Sequence, residues 1–364
     1  MARAVFTVVF LSIFYLAKVA ISDLGAVNGL NDALGRHLEA EPIPFTSVKQ
    51  LDALLTLLVR FFQPIVTGND LPLTLFCVFM GGQVLALHML ILIEGMRFGS
   101  RGKIISYTSA WGILWQLITI GATLPVYFLV WLWTSGVSGA TTPDAYAAAI
   151  SIDQVEARAI TGAWTFGVLL PSIFAGLPSP RIISQQMQEV ALAVWQGFPL
   201  WTGLWQVFLA GLVRLLDLIP EAIRDKPETK IGRFHKIYAY TLTFVALSYY
   251  GTFGYVYFKA GASPVELLKD ILRPTSPWDS TPMASVEKGT LTLLQWDLYC
   301  SVSATWTWIA YVAYARAGFG QVIVDLVKGA LWSVVVGPGG AALAVIWGRD
   351  VGAIRAAGGK VKSG

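Results

Sequence analysis

Two carboxylates, Glu94 and Asp297, lie within long apolar segments of the sequence. Glu94 ends the stretch "LHMLILIEG", and Asp297 lies in "LLQWDLYCS", early in another apolar run. Ionisable residues inside a membrane-spanning segment are costly and are functional candidates by default. Burial among apolar side chains disfavours the ionised form, so such a carboxyl group can hold a proton and act as a general acid. We therefore predict both as catalytic residues, with Asp297, the deeper one, as the acid and Glu94 assisting it.

Polar and aromatic residues recur at helical spacing around these acids. Asp297, Ser301 and Trp308 share one helical face, and Gln83 shares a face with Glu94. The other candidates for lining a substrate cavity are Trp111, Trp115, Gln116, Trp195, Tyr250 and Trp296. Aromatic faces stabilise a cation by about 0.5–2 kcal/mol each. An acid among aromatic rings suits protonation of an epoxide or alkene in an isoprenoid chain, followed by cationic ring closure, and this chemistry needs no metal or nucleotide.

Simpler explanations of the same residues remain open. Trp and Tyr gather at both membrane interfaces in any membrane protein. Glu94 could form a boundary ion pair with Arg97, three residues further on. A third acid, Asp217, lies beside Arg214 at a predicted helix end, where an interfacial ion pair explains it.

Several enzyme classes are excluded by what the sequence lacks. The three histidines (His37, His88 and His235) are too few for the histidine boxes of a membrane di-iron enzyme. The chain contains neither an H-E-x-x-H zinc motif nor a Walker loop, and it lacks the aspartate-rich motifs of prenyltransferases and soluble terpene synthases. "GVSG" (Gly136–Gly139) matches a serine motif of intramembrane proteases, but it lies in a polar loop.

The composition is that of a membrane protein. Of the 364 residues, 55% are hydrophobic and only 13% are charged, whereas soluble domains carry about 25% charged residues. The net charge of +4 is scattered and contains no basic run that would indicate nucleic-acid binding. The expected partners are the lipid bilayer and a hydrophobic small molecule, and the oligomeric state is left open.

Apolar runs near twenty residues, the length that crosses about 30 Å of hydrocarbon, predict an all-α bundle of about eight transmembrane helices. The predicted spans are 5–21, 73–93, 111–133, 160–177, 190–213, 237–258, 291–314 and 327–347. An additional amphipathic helix is predicted over 45–62, either with its apolar face in the membrane interface or as a short extra core helix. We expect residues 1–364 to form one transmembrane domain. The first span is either a signal peptide or a retained anchor, and we favour the anchor because no convincing small-residue cleavage site follows it.

Alternation of spans predicts where the acids lie. Glu94 ends the second run, and Asp297 lies about 10 Å into the seventh at 1.5 Å per residue. Because successive spans alternate in direction, both acids are expected toward the same leaflet. Lys and Arg are almost equally shared between the two sides, but the basic tail and the short Arg97–Lys103 loop place the termini in the cytosol. We predict an integral protein of the endoplasmic reticulum.

At these residues the chain resembles a fungal family of membrane-bound terpene cyclases, the type that cyclises farnesyl-bearing meroterpenoids such as ascofuranone, ascochlorin and macrophorin precursors. The similarity covers most of 42–315, including "LIEGMRFGSRG", "WGILWQLITIGATLPVYFL" and "WQGFPLWTGLWQ". The resemblance implies one glutamate and one aspartate within spans as site residues, which Glu94 and Asp297 match. It also implies an epoxidised farnesyl group on an aromatic or polyketide core as substrate, without metal or nucleotide.

Two other functions compete with this hypothesis. A sterol or lipid isomerase also uses intramembrane acids and tryptophans around a cation, but it moves a double bond without forming a ring. A non-enzymatic transporter is expected to show inverted repeats with helices broken at matching positions. We find no such symmetry in the sequence, where the glycines of "GPGG" (Gly337–Gly340) break only one predicted span.

Overall fold

The computed structural model describes residues 1–39, 42–216, 227–259 and 263–361, and Asp217 lies outside these ranges. Within them the regular structure is helical, apart from one isolated backbone bridge between Arg97 and Ile152. The helices of eight residues or more are α1 (Ala2–Val27), α2 (Leu30–Glu39), α3 (Lys49–Thr67), α4 (Leu71–Met96), α5 (Thr108–Ile118), α6 (Ile120–Thr134), α7 (Pro143–Ile150), α8 (Gln154–Ala175), α9 (Gln185–Gln196), α10 (Phe198–Leu215), α11 (Pro227–Lys259), α12 (Pro264–Leu272), α13 (Val286–Ala317) and α14 (Phe319–Val361).

Five helices, namely α1, α4, α8, α10 and α14, are long and apolar enough to cross a membrane. The all-α class is therefore confirmed for the described residues. The assignment of the whole chain to one transmembrane domain stays a prediction, and two of the eight predicted spans turn back on themselves. Each predicted run lies largely within helix, but three runs are interrupted, at Thr119, Gly197 and Gly337.

The predicted single span 111–133 is wrong, because the chain turns back at Thr119. This residue has φ 77° and ψ 153° and separates α5 from α6. The ring centroids of Trp111 and Tyr127 lie 5.3 Å apart, whereas sixteen residues of continuous helix would separate them by about 24 Å. α5 and α6 thus form a helical hairpin, which we call the first hairpin, with its tip at Thr119.

The predicted single span 327–347 is also wrong, for the same kind of reason. At Gly337 the backbone adopts φ 76° and ψ 168° within α14. Lys328 and Gly348 line one cavity, although twenty residues of straight helix would place them about 30 Å apart. We call α14 the second hairpin, with its tip at Gly337. Glycine permits the positive φ, and Pro338 has no backbone N–H to continue the helix.

The two hairpins change the direction in which later helices run. The Gly136 amide, just beyond α6, donates to the Gly99 carbonyl, just beyond α4, at 2.7 Å. α4 and α6 therefore end at the same end of the bundle, which we call the Glu94 side. A span that crossed once between them would have ended at the opposite side.

The predicted amphipathic segment 45–62 is helical from Lys49 onward, in α3. The face buried against the protein carries Asp52 and Val59, while Leu51 is exposed. The Thr46 amide and hydroxyl both donate to Asp52 Oδ1, at 2.7 and 2.8 Å, so this carboxylate fixes the start of the helix. That the apolar face lies in a membrane interface stays a prediction.

Candidate active site

Glu94 lies at the end of α4 within a buried group of four charged side chains. Arg97 contacts Glu94 Oε1 through Nε at 2.6 Å and Asp350 Oδ2 through Nη2 at 2.7 Å. Arg349 Nη2 lies 3.2 Å from Asp350 Oδ1 and 3.6 Å from Glu94 Oε1. All four side chains are buried, Arg349 being the most exposed at 7%. This charge cluster (Glu94, Arg97, Arg349 and Asp350) pairs two acids with two guanidinium groups.

The local sequence brings Arg97 inward. α4 ends at Met96, and Arg97 has an extended backbone that bridges to Ile152. Its Nη1 donates to the Ile150 carbonyl at 2.8 Å, so three acceptors hold one guanidinium. The simpler explanation that Glu94 pairs with Arg97 is confirmed in its contact. This pair was expected at the boundary of a span, whereas both side chains are buried within the bundle.

The two acids of the cluster differ in how many donors hold them. Asp350 accepts hydrogen bonds from Arg97, Arg349 and the Tyr238 hydroxyl, the last at 2.7 Å. Glu94 accepts hydrogen bonds from Arg97 at 2.6 Å and from the Trp131 indole at 3.1 Å, and Arg349 is more distant. Hydrogen bonds to a carboxylate favour its ionised form. Glu94 therefore has fewer close donors than Asp350 to hold its ionised form.

Aromatic rings enclose the Arg349 end of the cluster. Arg349 Cζ lies 5.3 Å from the centroid of the Trp308 ring, which stacks on Phe128 at 5.0 Å and meets Trp131 at 5.6 Å. Among the described residues, three buried donors here have no hydrogen-bond partner: Trp308 Nε1, Tyr146 OH and Arg349 Nη1. Buried polar groups are nearly always paired, by protein or by bound molecules, so these donors mark a place where a ligand or water fits.

A cavity of about 400 Å³ lies between the two arms of the second hairpin and reaches Arg349. This volume falls within the range of small-molecule sites. Its walls combine apolar residues such as Val345 and Trp332 with the charged residues Arg316, Asp325 and Lys328. The charge cluster thus borders a space large enough for a substrate.

The structure does not bring Asp297 to Glu94, and the predicted placement in one leaflet is wrong. Gly121, at the start of α6, donates its amide to Asp297 Oδ1. Trp131, ten residues further along α6, donates to Glu94. Ten residues of helix correspond to about 15 Å. The alternation rule failed because the first hairpin folds back where a complete span was expected.

Asp297 instead caps the tip of the first hairpin. Besides Gly121, the Ile120 amide also donates to this carboxylate. These are unsatisfied N–H groups of the first turn of α6, where the helix dipole also favours a negative charge. A Cβ at Gly121 would lie 2.6 Å from the Asp297 carbonyl oxygen, so only glycine allows this approach.

Gln83 caps the tip of the second hairpin in the same way. Its Oε1 accepts from the Gly339 and Gly340 amides at 2.9 and 3.2 Å, and its Nε2 donates to the Val336 carbonyl at 3.2 Å. Gln83 lies eleven residues before Glu94 on α4, or about 16 Å away. It shares the helix with Glu94 but contacts none of the charge cluster.

Of the remaining predicted site residues, only Trp308 meets the charge cluster. Trp115 packs on His88 and Phe198, and Trp195 packs on the same Phe198. Tyr250 is 56% exposed. The other side chains are held by hydrogen bonds elsewhere: Trp111 to the Ile104 carbonyl, Gln116 to Gln196, Trp195 to Ser172, Trp296 to the Thr275 carbonyl and Ser301 to the Leu298 carbonyl.

Sequence reasoning missed Arg349 and Asp350. Both lie two or three residues beyond the predicted end of the last span, in "IWGRDVGAI", where the basic tail begins. The apolar residues that follow this pair in the sequence could have indicated that the helix continues inside the protein. Val351, Ala353 and Ile354 are buried, so the pair lies inside the bundle.

Comparison with known proteins relates most of the chain to one family. A model of the CtvD domain matches residues 5–354. Terpene cyclase ascI of Acremonium egyptiacum is 28% identical over 343 residues, which are 90% of this chain and 83% of that protein. Terpene cyclase ctvD of Aspergillus terreus is 23% identical over 82% of each chain, and terpene cyclase penA of Penicillium crustosum is 25% identical over 89% of this chain and 85% of its own. No solved structure matches the chain at a significant level. The resemblance to fungal terpene cyclases is thereby confirmed, and the chain belongs to the CtvD domain family.

Proposed function

We propose that this terpene cyclase begins its reaction at the charge cluster, where Glu94 protonates the epoxide or terminal alkene of a farnesyl-type chain. The observation that carries the proposal is the position of Glu94 and Asp350. They share Arg97, and Arg349, which contacts both acids, joins them to an aromatic wall and to a cavity. Asp297 lacks such neighbours, because backbone amides at the first hairpin tip take up its carboxylate.

The proton is taken up from water when the charge balance of the cluster changes. With Arg349 in place, two carboxylates face two guanidinium groups. When Arg349 turns toward a bound substrate, the two acids face Arg97 alone. Two carboxyl groups close together in an apolar site then bind one proton between them. Glu94 takes it, because its second donor, the Trp131 indole at 3.1 Å, holds the carboxylate less closely than the Tyr238 hydroxyl holds Asp350 at 2.7 Å.

The chemical step then needs no further group. Glu94 gives its proton to the epoxide oxygen, the C–O bond breaks, and a carbocation forms at the more substituted carbon. Double bonds of the chain attack this centre in turn and close the rings, while the faces of Trp308 and Trp131 stabilise the cation. The last cation loses a proton to the Glu94–Asp350 pair, which then holds one proton again, as it did before the epoxide was protonated.

The remaining elements of the proposal concern placement. The family membership and the five long apolar helices support an integral membrane enzyme, which we assign to the endoplasmic reticulum with cytosolic termini. In this orientation the charge cluster lies at the cytosolic end of the bundle, since Arg3 near the amino terminus lies beside Tyr311 at the Glu94 side.

The test is turnover of an epoxyfarnesyl phenol by microsomes that contain the full chain. We expect Glu94→Gln and Asp350→Asn to abolish cyclisation, whereas Asp297→Asn retains it. Protein amount and size-exclusion profile of each variant, measured with a fluorescent fusion, control for folding. Normal turnover by a folded Glu94→Gln variant would overturn the assignment of the acid.

A further inference from the structure

The cavity between the arms of the second hairpin carries charges that the cyclisation step does not use. Arg316 and Lys328 lie in its wall together with Asp325, which accepts a hydrogen bond from Gln321 at 2.7 Å. Besides Arg349, which already pairs with Glu94 and Asp350, the lining holds two cations and one acid. A small-molecule site with such an excess of positive charge favours an anionic ligand.

The cations around this cavity have unused capacity. Arg316 lies over the Tyr146 ring, 3.9 Å from its centroid, and neither Arg316 nor Lys328 forms an ion pair within the described residues. At the inner end of the cavity, Arg349 Nη1 is buried and has no acceptor among those residues. A buried guanidinium N–H that lacks an acceptor is costly, so a ligand oxygen would stabilise this end.

We propose that the cavity binds the anionic head group of the isoprenoid substrate, a carboxylate or an acidic phenol, with Arg349 at its inner end and Lys328 at its wall. The inference rests on the proposed function, because it identifies the group to which Arg349 turns. It makes head-group recognition the trigger of the reaction. An anionic head group draws Arg349 from Glu94, and the Glu94–Asp350 pair then takes up its proton.

The position of the cavity supports an occupant that also reaches the charge cluster. Arg349 belongs to the cavity wall and at the same time contacts Glu94, Asp350 and the Trp308 ring. A molecule with an acidic ring and a farnesyl chain could place the ring between the hairpin arms and the chain along the aromatic wall. A lipid phosphate shares the anionic chemistry, so the experiment must separate the two sources.

The experiment compares two substrates, an epoxyfarnesyl hydroxybenzoic acid and its methyl ester, in the wild type, in Lys328→Gln and in Lys288→Gln. Lys288 is a matched exposed lysine that pairs with Asp270, away from the cavity. We expect Lys328→Gln to raise KM for the acid about fivefold or more and to leave KM for the ester unchanged. Lys288→Gln should change neither. Equal KM changes for acid and ester would overturn the proposal.

A binding measurement keeps this inference separate from the cyclase mechanism. Hydroxybenzoate alone should raise the melting temperature of the detergent-solubilised wild type and not that of Lys328→Gln. If no variant turns over either substrate but this shift is found, the proposed reaction fails and the head-group site stands. If vesicles of phosphatidic acid, but not hydroxybenzoate or phosphatidylcholine vesicles, stabilise the wild type in a Lys328-dependent way, the site belongs to lipid phosphate and the proposal is wrong.

Discussion

The charge cluster and the Asp297 cap are two buried carboxylate regions of one bundle, about 15 Å apart along α6. The acids of the charge cluster are held mainly by side chains, which can change rotamer, and they adjoin a cavity. Asp297 is held by backbone amides of a helix start, which cannot move without the helix. Burial is alike in both regions. The mobility of the partners separates an acid that could take part in chemistry from one that stabilises the fold.

The two regions also offset the cost of burial differently. An isolated buried ion costs several kcal/mol, and removing one member of a buried pair leaves that cost unopposed. Around Glu94 the compensation comes from Arg97 and, at longer range, Arg349. Around Asp297 it comes from N–H groups and the positive end of the α6 dipole. Only the charge cluster around Glu94 can gain or lose charge when a ligand binds Arg349.

The largest expected effect distinguishes coupled acids from independent ones. Glu94→Gln and Asp350→Asn should each lower cyclisation by about 10²–10⁴-fold, the usual contribution of general acid–base groups. Because groups that act as a unit are not additive, the double variant should be little worse than either single one. Product formation in microsomes, normalised to protein amount, measures this. Additive losses would mean that the two acids act separately.

The next effect concerns stability at the charge cluster. Arg97→Met leaves two buried acids with Arg349 alone and should destabilise the protein by about 3–5 kcal/mol. The matched change is Arg214→Met, which breaks a partly exposed pair with Glu156 and should cost no more than about 1 kcal/mol. Melting temperatures of the two purified variants in detergent test this difference. Equal shifts would show that Arg97 contributes no more than a surface arginine.

A smaller effect should follow from changing the second hairpin tip. Gly337→Ala puts a Cβ 2.6 Å from the Gln83 amide at a backbone with φ 76°, so it should cost about 1–3 kcal/mol. In Gly211→Ala the new Cβ meets nothing within 4 Å on α10. This variant should be stabilised by about 0.5–1 kcal/mol. Opposite changes in melting temperature are expected, and the same sign for both would contradict the tip geometry.

The smallest effect is expected at Asp297. Asparagine keeps one oxygen for the Gly121 amide, so Asp297→Asn should cost about 1 kcal/mol and lower turnover by less than about tenfold. Asp297→Leu removes every acceptor and should destabilise the hairpin tip further, by about 1–3 kcal/mol. Turnover and melting temperature are compared for both variants. A loss of turnover in a stable Asp297→Asn protein as deep as that of Glu94→Gln would restore Asp297 as a catalytic acid.

The structure agrees with the sequence where the argument depended on local pattern. The apolar runs are helical, and Asp297, Ser301 and Trp308 are all buried on the face that their spacing indicated. The prediction of single spans failed at 111–133 and 327–347, where the length of an apolar run was taken as evidence that the segment crosses the membrane once. A run of apolar residues has the same composition whether it spans the bilayer or turns back at its middle, and Thr119 carries no signal of a turn in its residue type.

What the sequence by itself determined is the apolar composition, the helical class and the family, and it singled out Glu94 as a candidate, because composition, periodicity and a charge within an apolar run are local properties. What only the tertiary structure decided is the partner of Glu94. Asp350 lies 256 positions away and Asp297 lies 203 positions away, and nothing local ranks one above the other. Two helical hairpins place the first beside Arg97 and the second at a helix start, because each hairpin reverses the chain within the depth of one span.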